Sequence, residues 1–285
     1  MRRRLPQIAL ATYNARLLLF GGAMSSTTNA SNRTECVTVL TAANRDFMIV
    51  LLAWAAGSVD AISYLALGHV FTANMTGNTL LLGMNAGQGH GVEALRSAAA
   101  LLGYLFGVAI GALLARKDKR KTWSSGVTAT LALETVVLGA FGLAWYFTGA
   151  AQQSDPWYTL IAVCGVTMGL QSVAVRQLGI PGIVTTYITG TLTSLVSGLI
   201  AHFRKMKYPN EGGAMETSAG EKWEENELLQ LGVFVMDVCA AFTVGALHKN
   251  HSFAMTLSPF IVLCVVVINA IVHQKRLVVQ NESRA

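Results

Sequence analysis

Six runs of about twenty apolar residues, near 47–67, 96–115, 125–147, 157–178, 228–247 and 252–273, are separated along the chain by more polar stretches. An α-helix needs about 20 such residues to cross a bilayer, so six spanning helices are expected. Two further stretches, 68–86 and 180–202, are apolar enough for membrane depth but are interrupted by Gly68, Gly77, Pro181, Gly182 and Gly190. These residues break a helix, and irregular backbone at that depth persists only where protein or water surrounds it. The pattern therefore predicts an all-α membrane protein, a polytopic helical bundle of six spans plus two broken or re-entrant segments.

The broken segments resemble one another. TANMTGNT at 72–79 returns as TTYITGTLT at 185–193, with Thr72, Thr76 and Gly77 recurring as Thr185, Thr189 and Gly190. The spans before them align as well, GSVDAISYLALG (57–68) with MGLQSVAVRQLG (168–179), and the spans after them share Gly-Ala-Leu at 111–113 and 245–247. Each half reads span, broken segment, span, span, which is the usual sequence sign of a transporter built from two structural repeats. The repeats are 46–148 and 157–274, within a transmembrane domain of 46–275.

Lys and Arg placement bears on their orientation. If both broken segments enter and return, and the N-terminus is cytoplasmic, 19 of the 21 Lys and Arg fall on the cytoplasmic side, leaving Arg96 and Lys249 outside. Full crossings would divide them 14 to 7. The positive-inside rule favours the first arrangement, and hence two inverted repeats.

Composition agrees with a membrane protein: of 285 residues, 53% are hydrophobic and 13% charged, against about a quarter charged in a soluble domain. The net charge of +6 comes from clusters at span ends such as RKDKRK at 116–121, a topology signal that does not call for a nucleic-acid partner. Cys36, Cys164, Cys239 and Cys264 are isolated and form no disulfide or metal pattern. Residues 1–45 read as a disordered or targeting tail, because the first 34 contain no acid and begin MRRR. Residues 203–227 read as a hydrophilic, disordered loop, and 276–285 as a C-terminal tail.

The segments GSVDAISYLALGHVFTANMTGNTLLLG and GLQSVAVRQLGIPGIVTTYITGTLTSL resemble the two signature stretches of the YoaK family of multi-pass membrane proteins, a domain-of-unknown-function family. The resemblance covers roughly 46–275. It implies a multi-pass membrane protein and brings no substrate or catalytic residues with it.

The site expected from the residues themselves lies at the two broken segments. HVFTA and GIVTTY favour extended backbone; Thr76 and Thr189 would then cap half-helices whose free N–H groups point to the protein centre. Asn74, Asn78 and Tyr187 would contact a small-molecule solute, and Gly77 and Gly190 would let it reach the backbone. Close helix packing by Thr and Gly is the competing explanation. Asp60, Glu134 and Asp237 are the acids expected within spans, where a carboxylate is costly unless it faces a cavity or partner. Asp60 and Asp237 are the candidates for proton coupling, with a structural hydrogen-bonded acid as the alternative. Gln171 is the counterpart of Asp60 in the second repeat, Arg176 snorkels toward headgroups, and Gly103, Gly107 and Gly111 form a packing ridge. His248 and His251 lack a third ligand, so no metal is expected; no cofactor or enzyme motif appears. The expected function is a secondary transporter of a small polar or anionic solute. An intramembrane enzyme using Asp60 and Asp237, and a scaffold or receptor, stand as alternatives.

Overall fold

The computed structural model describes residues 24–115, 123–148, 157–178, 188–207, 217–250 and 252–282. The chain divides into two units, Met1–Asp46 and Phe47–Ala285. In the first, the described residues are helical from Met24 onward; of the disordered or targeting tail expected at 1–45, residues 1–23 lie outside the described residues.

The described residues form eight helices: α1 (Met24–Ala66), α2 (Met75–Gly87), α3 (Gly91–Leu114), α4 (Ser125–Thr148), α5 (Trp157–Gln177), α6 (Ile188–Lys207), α7 (Thr217–Asn250) and α8 (Ser252–Glu282). Six segments are long and apolar enough to cross a membrane: Ala43–Ala66, Gly91–Leu114, Ser125–Phe147, Tyr158–Gln177, Leu228–Lys249 and Phe253–Lys275. Large apolar side chains such as Leu102, Phe106, Phe147, Phe242 and Ile268 are exposed on them, as lipid contact requires. With 13 residues, α2 is only about 20 Å long, short of the bilayer core of about 30 Å.

One polar stretch departs from expectation. The segment 203–227, read as a disordered loop, is helical through Lys207 and again from Thr217, and only 208–216 lie outside the described residues. The Glu and Lys that made it look unstructured are good helix formers, and each flank belongs to an adjoining helix. The tail at 276–285 likewise continues α8 as far as Glu282.

Glycines set the closest packing. Gly103 and Gly107 of α3 lie on the Ala162 and Val166 carbonyls of α5, while Gly165 and Gly169 of α5 lie on the carbonyls of Ala100 and Tyr104. A Cβ at any of the four would overlap backbone, so the two helices meet main chain to main chain and run in the same direction. In contrast, α1 and α5 run oppositely: Gln171 Nε2 donates to Leu52 O at 2.7 Å, and Ser63 meets the Cys164 thiol. The α4–α8 pair is also antiparallel, with Gln274 on Thr128 at 2.8 Å near one end and Tyr146 against Phe253 at the other.

Candidate functional site

α1 ends at Ala66, and the chain turns back through Gly68 (φ 93°) and His69 (φ 62°). Positive φ suits glycine, and a Cβ on Gly68 would also strike the Arg96 guanidinium, 2.8 Å away. His69 carries a side chain into the same region; its N–H donates to Tyr64 O at 3.2 Å and its ring meets that of Tyr64 edge-on at 5.0 Å. Since Arg96 lies in the second turn of α3, the segment between α1 and α3 leaves and returns at the same end of the bundle.

The returning strand is held by one carboxylate. Asp60 Oδ1 accepts from the N–H groups of Thr72 and Ala73, both at 2.6 Å, and from the Thr72 hydroxyl at 3.3 Å; Oδ2 accepts from Asn74 N at 3.2 Å. Asp60 lies six residues before the end of α1, about 9 Å back along its axis. Residues 72–74 therefore re-enter to that depth. Ser63 and Thr72 share a hydrogen bond of 3.1 Å, and Asn78, fully buried, accepts from Phe71 N at 2.9 Å while its Nδ2 donates to Phe71 O. The polar residues of TANMTGNT thus satisfy the backbone of an irregular segment that bends at Thr72 and Ala73 and has no strand partner among the described residues.

α2 starts from this segment. Its N-cap is Asn74, whose side chain accepts from Gly77 N at 3.3 Å. This corrects the expectation that Thr76 is the cap: the strand held by Asp60 ends at Asn74, so Thr76 falls inside the first turn, where it is exposed.

A cavity of about 540 Å³ opens beside the Asp60 clamp. Asp60, Tyr64, Phe71, Asn74, Thr189 and Asp237 line it, with Gly57, Ala241 and Gly245 among its small residues. Tyr64 and Phe71 stack at 5.1 Å between centroids. Asp237, half-buried on α7, faces Gly57 on α1, where a Cβ would stand 2.5 Å from Oδ1 and 2.8 Å from the Asp237 carbonyl oxygen. No described residue donates a hydrogen bond to the Asp237 carboxylate.

Of the expected site residues, Asp60, Asn74, Thr189 and Asp237 meet at this cavity. Thr76, Gly77, Asn78 and Gly190 do not line it, and Tyr187 lies outside the described residues. The buried Asn78 amide is occupied by the Phe71 peptide, so it shapes the strand instead of meeting a solute. Gly77 sits against Phe71 and Asn74, 3.1 and 3.2 Å from where its Cβ would be, which is room for the turn. Glu134 is fully buried in α4 away from the cavity, with no hydrogen-bond partner for either oxygen among the described residues. Arg176 is exposed in the last turn of α5. Among the described residues no group of three or more His, Cys, Asp or Glu could hold a metal ion. Sequence reasoning missed Gly57, Tyr64 and Phe71. Gly57 and Tyr64 stand three residues before and four after Asp60, on the same helix face, and that spacing was the available signal.

The family model described as "Protein of unknown function (DUF1275)" matches residues 48–271, which include every residue lining this cavity. The chain belongs to the DUF1275 family. It is 42% identical over 168 residues to the UPF0700 transmembrane protein YoaK of Bacillus subtilis (strain 168), an overlap that covers 58% of this chain and 73% of the relative. No solved structure matches. With this DUF1275 membership and its six apolar helices, the protein is a multi-pass integral membrane protein.

Proposed function

We propose that this DUF1275 protein is a secondary transporter whose solute occupies the cavity between Asp60 and Asp237. The observation that carries the reading is convergence: the start of α2 in the first half and Thr189 at the start of α6 in the second half line the same cavity with two intramembrane carboxylates. Solute and ion sites of secondary transporters form in this way, where broken helices from two repeats meet. The antiparallel α1–α5 and α4–α8 pairs support inverted repeats, since each pairs corresponding spans of the two halves, and spans of parallel repeats would run the same way.

The two acids have different parts in this reading. Asp60 fixes the re-entrant strand, its oxygens taken up by three amides and a hydroxyl. Asp237, which has no such donors, is the group available to exchange a proton. Among the described lining residues there is no Lys, Arg or His, so the electrostatics favour a polar or positively charged solute over the anionic one considered from the sequence. The occupation of Asp60 also counts against an acid–base enzyme pair. Reconstitution into liposomes loaded with a pH-sensitive dye tests the proposal. A polar solute supplied outside should drive a proton signal in wild type, and Asp237→Asn should abolish it. Solute uptake at the rate of protein-free vesicles across a broad panel would refute the transporter reading.

A further inference from the structure

We infer that the cavity takes a small organic cation, an amine or quaternary ammonium with a modest apolar body; this rests on the reading of the cavity as a solute site. Two acids line it and, among the described residues, no basic one does. The charge of Asp60 is met by the N–H groups of residues 72–74. That of Asp237 has no described donor, and an unpaired carboxylate at membrane depth calls for a positive partner.

Shape then selects among cations. A bare metal ion needs several oxygens converging at about 2.0–2.6 Å, whereas this cavity, at about 540 Å³, falls in the range of small-molecule pockets, about 300–1,000 Å³. One wall is the stacked pair of Tyr64 and Phe71, and an aromatic face attracts a cation within about 6 Å of its centroid. The lining also includes small residues, Ala241 and Gly245 on the α7 face of Asp237, which leave space for an apolar body. A carboxylate, an aromatic wall and an apolar floor together suit an alkylammonium head. A sugar or an amino-acid carboxylate would find few donors among the described lining residues, namely the Asn74 amide and the Thr189 and Tyr64 hydroxyls.

The test is calorimetric titration of the full-length protein in detergent with choline and its uncharged isostere 3,3-dimethylbutan-1-ol, and with benzylammonium and benzyl alcohol. At least one cation should bind saturably, about tenfold or more tighter than its neutral counterpart. Asp237→Asn should weaken that binding about tenfold, and Tyr64→Leu should weaken it about fivefold, with Tyr64→Phe costing less. Equal affinity for charged and neutral probes overturns the inference, as does the lack of saturable binding by either cation up to about 10 mM, or a cation affinity indifferent to Asp237→Asn. The wild-type comparison stands whether or not a variant folds. Vesicle counterflow of the same cations separates the two claims: binding without flux removes the transporter reading and keeps the cation site, while flux of an anionic or neutral solute without cation binding does the reverse.

Discussion

Asp60 shows how one residue can look like a proton carrier in the sequence and be occupied in the fold. An acid in a signature segment, shortly before a break, pointed to the right neighbourhood; what it bonds to depended on the return path of residues 67–74, which no local propensity specifies. Removing its carboxylate as Asp60→Ala leaves the N–H groups of Thr72, Ala73 and Asn74 without an acceptor. We expect a loss of about 3 kcal/mol or more, since hydrogen bonds to a charged group are worth about 1.5–3 kcal/mol each, read as a drop in Tm and faster proteolysis between residues 68 and 90. Asp237→Asn, which breaks no described hydrogen bond, should leave Tm nearly unchanged. If Asp60→Ala melts like wild type, the clamp is not what holds the strand.

Among the elements, the six spans were legible because each is a single apolar run, and the first broken segment because Gly68 and the polar residues after it interrupt one. The starting residue of α2 was not legible, since Asn and Thr both cap helices well and the choice was made by the Asp60 contacts. The flanks of residues 208–216 were misread for a different reason: polarity argued against a core, and a helix extending past the membrane needs none. Helix contacts also follow from small residues already visible in the chain. Gly107→Val places side-chain atoms on the Val166 carbonyl and should prevent recovery of monodisperse protein by size-exclusion chromatography. Gly83→Ala on α2, where a Cβ meets nothing within 4 Å, should be neutral or stabilise by about 0.5–1 kcal/mol.

For the whole molecule, the inverted arrangement makes a simple topological prediction. Single cysteines at positions 118 and 215 should react with a membrane-impermeant maleimide from the cytoplasmic side and one at 152 from the opposite side; 118 and 152 reacting from one side would exclude it. The two proposed repeats also differ from one another. Aligning the two Gly-Ala-Leu endings puts Asp237 of α7 opposite Gly103 of α3, and Ala241 opposite Gly107. On the α3 side the glycines seal two helices backbone to backbone; on the α7 side a carboxylate stands at the corresponding place and the cavity lies beside it. On the proposed pairing, glycine shuts the α3 face where the α7 face keeps a charge beside a void, so only the α7 side offers a visitor anything to hold.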